Sequence, residues 1–291
     1  MSSENHELVL LTIAYHSHAA LHALSKDLVR QNDYPVKWVI VNNSPDSSGS
    51  INLDLPFPCC ILRGKEGAGF AEGCNQGLDQ LFEEDWNGWV WLLNPDIRIK
   101  ENSMFSEMEF SLAQLPQNAL VGTAVFDENK NLEKSAGWID PGFNFRSRRI
   151  TDKLLGCDKQ IVSLDWISGC SMLLKPSAHF EKPRFESALP LYYEDMDFCL
   201  RLAQGGAPVI WLPFKSVSHQ KGKGSIISEN RRLRLSSCSY IRFLQRHRPG
   251  YVLFFRTLRI LLNAFFRLPI SPIRSLSILK GCLDAYISPL V

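Results

Sequence analysis

The run 193–202 carries three carboxylates within four positions, Glu194, Asp195 and Asp197. Like charges this close destabilise one another where water is scarce, so a nearby cation or a shared chemical task must offset them. Apolar residues stand at every second position from 196 to 202, which indicates a partly buried segment rather than a solvated acidic tail. The pattern therefore predicts a catalytic carboxylate at the start of a helix.

A further carboxylate, Asp96, directly follows a run of apolar residues in the sequence Asn94-Pro95-Asp96. Divalent cations such as Mg²⁺ and Mn²⁺ prefer oxygen ligands and often bind diphosphates, so Asp96 is a candidate metal ligand. The same tripeptide is also an ordinary turn sequence, because Asn and Pro both favour turns.

His219 precedes the sequence Gln-Lys-Gly-Lys-Gly-Ser at 220–225. An imidazole beside a flexible loop with Lys221 and Lys223 suits a second metal ligand with a loop that closes over phosphate. A lone histidine is more often an ordinary surface or core residue.

Two other segments are candidates for lining a ligand site. The glycines at Gly67 and Gly69 open a predicted helix, and they would let a phosphate or ribose approach backbone N–H groups. Tight packing of that helix on a sheet is the alternative. Trp166 stands beside a turn of small residues, where it would stack on a sugar or belong to the core.

The elements that must position these residues alternate along the chain. Buried runs of strand length at 8–14, 36–41, 60–62 and 89–93 are separated by segments with helical spacing of leucines. This alternation predicts an α/β fold with a mostly parallel, doubly wound, Rossmann-like sheet flanked by helices. The polar stretch 127–165 predicts a hairpin or loop over the site.

Ligands of such sheets bind beyond the carboxyl ends of the strands. Five candidate residues stand at predicted strand ends: Tyr15, Asn42, Asn43, Asn94 and Asp96. Their common position strengthens each of them as a binding residue.

Composition narrows the partners. The 291 residues carry a formal net charge of only +2, but ten arginines and no acidic residue lie between Arg231 and Arg274. That asymmetry favours an anionic surface, and the amphipathic pattern at 251–268 suits either a membrane surface or packing on the rest of the protein. Aromatic residues interleaved on strands, typical of nucleic-acid binders, are missing.

Location follows from what the sequence lacks. The first residues have no basic, apolar signal-peptide pattern, and no run of about 18 apolar residues predicts a membrane span. Eight cysteines show no zinc-ligand spacing, which favours reduced thiols. We expect a cytoplasmic protein, with 229–286 as the segment that would contact the inner face of a membrane.

The order of the motifs resembles the family 2 glycosyltransferases of the GT-A fold, rhamnosyltransferase-like members in particular. The resemblance covers about Leu8 to His247 and is most specific at 92–96 and 193–201. It implies a catalytic domain at 1–226, with a nucleotide-binding half to about 126, followed by a helical extension at 227–291.

The resemblance also implies individual roles. The nucleotide-contacting positions match Ala14, Tyr15, Asn42, Asn43 and Asn75; the metal ligands match Asp96 and His219; and the general base matches Asp195. The chain departs from the usual pattern at Ala14, His16, Asn42 and Gly67, which leaves the identity of the nucleotide open.

The implied reaction is an inverting transfer of a sugar, with dTDP-rhamnose as the leading donor, to a cell-envelope or polyprenyl-linked glycan. Asp195 would take the proton of the acceptor hydroxyl, with its pKa raised by Glu194 and Asp197. Glu194 would orient the acceptor or the base. Asp197 would pair with Arg201, four residues later on the same helix face.

Two other functions stay open. A nucleotidyltransferase would need a glycine-rich, basic loop after the first strand, where the chain has Tyr-His-Ser-His at 15–18. A degenerate, non-catalytic domain that binds a glycan or nucleotide sugar is favoured by the altered first-strand motif and disfavoured by the intact Asp96, Asp195 and His219.

Overall fold

The computed structural model describes residues 8–45, 51–65, 68–140, 147–150, 161–220 and 227–287. The strands in these ranges are β1 (Leu8–Ala14), β2 (Lys37–Asn42), β3 (Cys59–Arg63), β4 (Trp89–Leu93), β5 (Ile97–Arg98), β6 (Leu120–Phe126), β7 (Ala136–Ile139), β8 (Ser147–Arg149), β9 (Val162–Leu164), β10 (Trp166–Ile167), β11 (Ser171–Leu174) and β12 (Val209–His219). The α-helices there are α1 (His18–Val29), α2 (Phe70–Glu83), α3 (Met104–Leu112), α4 (Glu194–Gln204), α5 (Glu229–His247), α6 (Gly250–Arg267) and α7 (Pro272–Ile287).

The central sheet has the strand order β3-β2-β1-β4-β11-β6-β12-β5, with β9 added against β12. Strands β3, β2, β1 and β4 are parallel, as are β6 and β12, whereas β11 runs antiparallel between β4 and β6. The predicted α/β class and mostly parallel sheet are confirmed. A smaller sheet, β10-β7-β8, lies beside it.

Two apolar cores cover the two faces of the central sheet. One contains residues of α1 and α3, and the other contains residues of α2, α4 and α5. Alternate residues of β1 enter different cores: Leu8 and Leu10 face α1, whereas Val9 and Leu11 face α2. This explains why the run is apolar at every position, since a parallel strand buried on both faces has no side that tolerates polar residues.

The described residues of the segment predicted as a hairpin or loop include strands. Strands β7 and β8 pair antiparallel, so a hairpin is present. Strand β12 continues through His219.

The C-terminal helices pack on the central sheet region and on one another. A small core of Cys238, Ile241, Cys282 and Ala285 joins α5 to α7. A Cβ added at Gly281 would stand 2.2 Å from the carbonyl oxygen of Arg234, so the two helices approach as closely as their backbones permit. The predicted helical character of this segment is confirmed for 229–247, 250–267 and 272–287.

Within the described ranges, no helix combines the length and apolar character needed to cross a bilayer. All seven cysteines described there are free thiols, and five of them are buried. Cys59 is exposed and Cys60 half-buried, so the prediction of buried reduced thiols holds for only part of the set.

Candidate active site

The carboxyl ends of β1 and β2 meet at one edge of the sheet. The register pairs Ala14 with Asn42, and the Asn42 side chain accepts a hydrogen bond from the N–H of Ser44. The Ser44 hydroxyl in turn accepts one from the N–H of His16, 2.8 Å away. Tyr15 projects from this turn and is 37% exposed, so it is the residue of the group best placed to meet a nucleotide base.

Two amides predicted to bind nucleotide are instead occupied within the protein. Asn43 is 1% exposed, and its side-chain N–H donates to the carbonyl of Ala68 at the entry to α2. Asn75 exchanges two hydrogen bonds with the backbone of Phe185, at 2.8 and 2.9 Å. The amide nitrogens of Asn43 and Asn75 fasten neighbouring segments around the site by donating to backbone carbonyls, whereas the Oδ1 of Asn43 is buried without a hydrogen-bond partner among the described atoms.

The strand register brings Asp96 and His219 together. His219 lies opposite Ile97 in the antiparallel pair of β12 and β5, and Asp96 immediately precedes Ile97. The Nε2 of His219 is 3.2 Å from Oδ1 of Asp96. The other ring nitrogen, Nδ1, is 3.2 Å from both carboxylate oxygens of Glu133. The predicted pair is therefore adjacent, and a third group holds the imidazole ring.

Two carboxylates shift the acid–base equilibrium of the His219 imidazole. Burial opposes protonation of His219, but the carboxylates of Asp96 and Glu133 outweigh it and raise the pKa of His219. Glu133 is placed by a short hairpin: its N–H donates to the carbonyl of Val125, which lies opposite Val217 on β12.

Asp96 and His219 fit a divalent cation that takes most of its ligands from elsewhere. Two ligands on adjacent corners of an octahedron with bonds of about 2.1 Å lie roughly 3 Å apart, close to the observed separation. No cluster of three or more His, Cys, Asp or Glu side chains in the described ranges is arranged to hold a metal. The pair therefore suits Mg²⁺ or Mn²⁺, which often keep water and substrate phosphates as ligands.

Glu194 and Asp195 open α4 at the centre of the site. Asp195 accepts hydrogen bonds from the N–H of Met196 at 2.8 Å and of Gly169 at 3.4 Å, and from the Ser168 hydroxyl. Burial raises the pKa of Asp195 in spite of these bonds. Burial, then the charge of Asp195, raises the pKa of Glu194, and its Oε2 is buried without a hydrogen-bond partner among the described atoms.

Gly169 makes this approach possible because it has no side chain. A Cβ at this position would stand 2.7 Å from the Phe70 ring, at the start of α2. The absence of a Cβ lets the 168–169 turn bring its N–H up to Asp195.

Asp197 belongs to a different network. It is fully buried, and it contacts Arg201 Nε at 2.7 Å, His247 Nε2 at 2.8 Å and Arg246 at 3.2 Å. Burial alone would raise its pKa, but these three partners reverse the effect and lower it. The predicted pairing with Arg201 is confirmed. The prediction that Asp197 helps to raise the pKa of Asp195 is wrong, because its charge is neutralised and burial is the cause.

The backbone just before α4 is strained. Tyr192 and Tyr193 have φ angles of 64° and 68°, in the left-handed region that residues with side chains rarely adopt. The ring of Tyr193 packs against Tyr240 and Phe243 of α5, with centroids 5.3 and 5.4 Å apart. Such strain concentrates at functional sites, and here packing on α5 maintains it.

One cavity of about 1120 Å³ is lined by Glu133, Glu194, Asp195 and His219 among others. Its floor includes Asn94, Glu194, Asp195 and His219, and its far wall comes from α5, α6 and α7. The residues of that wall are Leu233, Ser236, Ser237, Tyr240, Ile260, Asn263, Ala264, Arg267 and Ile278. The C-terminal helices are thus part of the site.

The remaining predicted residues have varied positions. Asn94 lines the cavity, with its N–H bonded to the carbonyl of Cys170. Gly69 caps α2 in extended conformation. Trp166 is 6% exposed and belongs to the core, with its edge on the cavity, so it is not an open sugar-stacking wall. Lys221 and Gly67 lie outside the described residues.

The sequence reasoning missed Glu133 and the cavity wall on α5 to α7. Glu133 stands in a polar stretch without a recognisable motif, so only the pairing of β6 with β12 reveals its position. The aromatic and small residues facing the cavity from α5 and α6 follow ordinary helical spacing.

The layered α/β/α architecture, with acidic residues at the carboxyl edge of a mostly parallel sheet, is a fold of the GT-A type. Among solved structures, the chain is similar to GalNAc-T7 crystallised with UDP, GalNAc and Mn²⁺, with a TM-score of 0.59 at 10% identity. The match covers 84% of this chain and 48% of that one, so the chain spans about half the length of GalNAc-T7.

Two structures of S. aureus TarS also match, each with a TM-score of 0.49. One, at 12% identity, covers 82% of this chain and 44% of that chain. The other, TarS 1–349 with UDP, covers 83% and 72% at 13% identity. No protein-family model matches the sequence, and neither does any curated protein. The similarity to GalNAc-T7 shows the fold.

Proposed function

We propose that the protein is a glycosyltransferase that moves a sugar from a nucleoside-diphosphate donor to a hydroxyl group of a glycan. The observation that carries the proposal is the juxtaposition, in one cavity, of two carboxylates with raised pKa values, Glu194 and Asp195, and of His219, which is paired with Asp96. The similarity in fold to a structure that contains UDP and Mn²⁺ supports the nucleotide part of the proposal.

The donor would lie along the carboxyl edge of the sheet. The nucleotide would meet Tyr15 and the turn at Asn42, and the diphosphate would reach Asn94 and Asp96 further along the edge. This order follows the strand order β2-β1-β4, which places the three turns side by side. Lys221 would approach the diphosphate from its glycine-rich loop.

A divalent metal, when bound, would be held by Asp96 and His219 and would supply positive charge for the departing nucleoside diphosphate. Glu133 would keep the His219 ring in place by bonding to Nδ1. Such a carboxylate–histidine arrangement fixes the ring orientation and raises the basicity of the ligand.

Asp195 would accept the proton of the attacking hydroxyl group. Its raised pKa brings it closer to the working pH, which improves a carboxylate as a general base. Glu194 lines the same cavity and would orient the acceptor hydroxyl. The deprotonated oxygen would attack the anomeric carbon as the bond to the diphosphate breaks, in an inverting transfer.

The finer parts of the proposal concern substrate and place. Family 2 membership, with dTDP-rhamnose as the leading donor, is supported by the motif order alone. A cell-envelope or polyprenyl-linked glycan suits the large cavity, and its apolar wall from Tyr240, Ile260 and Ile278 suits a lipid-bearing acceptor. The enzyme would then act in the cytoplasm, at the inner face of the membrane.

Donor binding is the test of this proposal. Isothermal titration would compare dTDP-rhamnose, UDP-glucose, UDP-galactose and GDP-mannose, each with and without Mn²⁺. We expect one donor to bind, more tightly with Mn²⁺, and to lose that dependence in Asp96→Ala. The matched control is Asp54→Ala, an exposed carboxylate in a loop away from the cavity.

The opposite result is clear-cut. If no nucleotide sugar binds with or without the metal, although the protein is folded, the transferase assignment fails. If a donor binds and Mn²⁺ makes no difference, the donor site stands and the metal site fails.

A further inference from the structure

The outer face of the last two helices is unusually apolar. Residues 251–287 contain fourteen of the large hydrophobic side chains that are exposed in the described part of the chain, while eight are spread over the rest. They are Tyr251, Phe254, Phe255, Leu258, Leu261, Leu262, Phe265, Phe266, Ile270, Ile273, Leu276, Leu283, Tyr286 and Ile287. Monomeric proteins rarely expose so many apolar side chains in one region without a partner.

On α6 the exposed apolar residues share one side of the helix. At about 3.6 residues per turn, the eight residues from Tyr251 to Phe266 fall within an arc of roughly 140°. The side chains buried against the rest of the protein, such as Thr257 and Ala264, occupy a separate arc. The helix therefore has two apolar faces, and only one of them is covered by protein.

The second helix adds to the same region. Helices α6 and α7 are joined by a short turn at 268–271, where Ile270 is 83% exposed. Their sides meet at Thr257 and Tyr286, whose hydroxyls are 3.4 Å apart. Ile273, Leu276 and Leu283 continue the exposed apolar surface along α7. We name this surface, formed by the fourteen side chains, the hairpin face.

Positive charge borders the hairpin face. On α6, Arg259 is exposed next to the apolar arc, and Lys280 is exposed on α7. No Asp or Glu occurs between 230 and 283. Four of the ten arginines that the sequence assigned to an anionic surface have other tasks: Arg234 pairs with Asp284, Arg242 with the carbonyl of Ala188, Arg246 with Asp197 and Glu186, and Arg274 with Glu229.

The charge pattern decides between the possible occupants. A second copy of this chain docked face to face would bring two cationic borders together, with no acidic residue of 230–283 to offset them. A bilayer with anionic headgroups offers an apolar interior for the Phe and Leu side chains and negative charge for Arg259 and Lys280. The positive charge beside the hairpin face is therefore complementary to an anionic bilayer, and it would repel the same charge on a second copy of the chain.

The same helix also bounds the active-site cavity. Ile260, Asn263, Ala264 and Arg267 line that cavity from α6, while the exposed arc of α6 points elsewhere. One helix thus separates the cavity from the hairpin face. A membrane surface in contact with this face would therefore lie one helix diameter from the cavity, within reach of an acceptor anchored in that membrane.

We propose that the hairpin face docks on an anionic phospholipid bilayer and that the membrane presents the acceptor to the adjoining cavity. The second clause rests on the proposed glycosyltransferase function; the first does not. It narrows the membrane-contacting segment from 229–286 to the outer sides of α6 and α7, because α5 is packed between α4 and α7.

The test is co-sedimentation of the purified full chain with vesicles. Vesicles of phosphatidylcholine alone are compared with vesicles that also contain phosphatidylglycerol. We expect binding to the mixed vesicles, weakened by added salt. The double variant Phe254→Ser with Phe265→Ser should lower partitioning more than about tenfold, because two large apolar side chains are removed from the contact.

Matched variants control for surface change and for charge. Phe110→Ser with Phe180→Ser removes two even more exposed rings from the proposed catalytic domain and should leave binding unchanged. Arg259→Gln should lower binding about fivefold on mixed vesicles, since each basic residue near such a surface contributes about 1 kcal/mol. All the replaced side chains are exposed, so unchanged thermal unfolding serves as the check on folding.

Three results would overturn the proposal: no binding to either vesicle, equal loss in the catalytic-domain control, or a stable dimer in sedimentation velocity that the double variant dissociates. Donor titration without vesicles, on the same preparation, separates this outcome from the proposed function. A protein that binds donor but not vesicles retains the transferase assignment and loses the membrane one.

Discussion

Helix α4 carries two sets of carboxylates with opposite surroundings. Asp197 is buried among Arg201, Arg246 and His247, and its pKa is lowered. Glu194 and Asp195, less than one turn away, have no ion-pair partner in the described ranges, and their pKa values are raised. The difference teaches that the protein neutralises the carboxylate that fastens α5 to α4 and leaves un-neutralised the two that face the cavity.

The largest effect should come from removing the cavity-facing base. Asp195→Asn keeps the shape but cannot accept a proton, so transfer should fall about 10³-fold, within the usual range for general-base catalysis. Donor affinity should change little. Turnover and donor titration would be measured side by side, with Asp54→Asn as the exposed control. Near-normal turnover of Asp195→Asn would show that another group is the base.

Removing the neutralised carboxylate should affect the fold instead. Asp197→Ala leaves Arg246, Arg201 and His247 without their shared partner, and breaking a buried pair of this kind costs about 3–5 kcal/mol of unfolding free energy. Denaturant unfolding measures it. Asp79→Ala breaks the exposed pair with Arg184 and should cost less than about 1 kcal/mol. Equal losses of unfolding free energy in Asp197→Ala and Asp79→Ala would show that the buried Asp197 network stabilises the fold no more than an exposed ion pair does.

A smaller effect is expected at the group that holds the histidine. Glu133→Gln weakens the bond to Nδ1 of His219, so the affinity for Mn²⁺ should drop about 10- to 100-fold. Titration of Mn²⁺ into the protein without substrate reads this directly. Glu128→Gln, in the exposed turn of the same hairpin, is the control. An unchanged Mn²⁺ affinity in Glu133→Gln would show that Glu133 does not support metal binding.

The smallest effect should have the opposite sign. The folded-state pKa of Glu194 is above its unfolded value, so its ionisation lowers stability as the pH rises from the ordinary glutamate pKa towards the raised one. Glu194→Gln removes that penalty, and it should gain about 1–2 kcal/mol at neutral pH with none near pH 4. Unfolding free energies at both pH values test this. A loss of stability at neutral pH would mean that Glu194 is neutralised by a group outside the described ranges.

Much of the architecture could be read from local patterns. The strands β1 and β4 were predictable because an apolar run of seven or five residues, ended by polar turn residues, has few other structures. Asp96 and His219 were predictable as partners only through the motif order, since the sequence separates them widely. Their contact depends on the pairing of β5 with β12, which is a property of the whole sheet.

Other features had no local signal. The amides of Asn43 and Asn75 have the composition of ligand-binding groups, and only their neighbours in space show that each donates to a backbone carbonyl. The ten arginines look alike in sequence, yet Arg246 neutralises a buried acid whereas Arg259 lies in the open. Long-range packing decides such differences, and residue type does not.

The strained conformation of Tyr192 and Tyr193 bears on how much of the chain is needed to form the candidate site. A side-chain-bearing residue in left-handed conformation costs about 1–2 kcal/mol, so two in succession relax unless something restrains them. For Tyr193 the restraint comes from Tyr240 and Phe243 in α5. A fragment that stops at 226 would contain every candidate catalytic side chain. It would lack the packing on α5 that holds the backbone before Glu194 and Asp195 in its strained conformation. If the proposed function holds, the smallest active fragment of this chain therefore extends through α5.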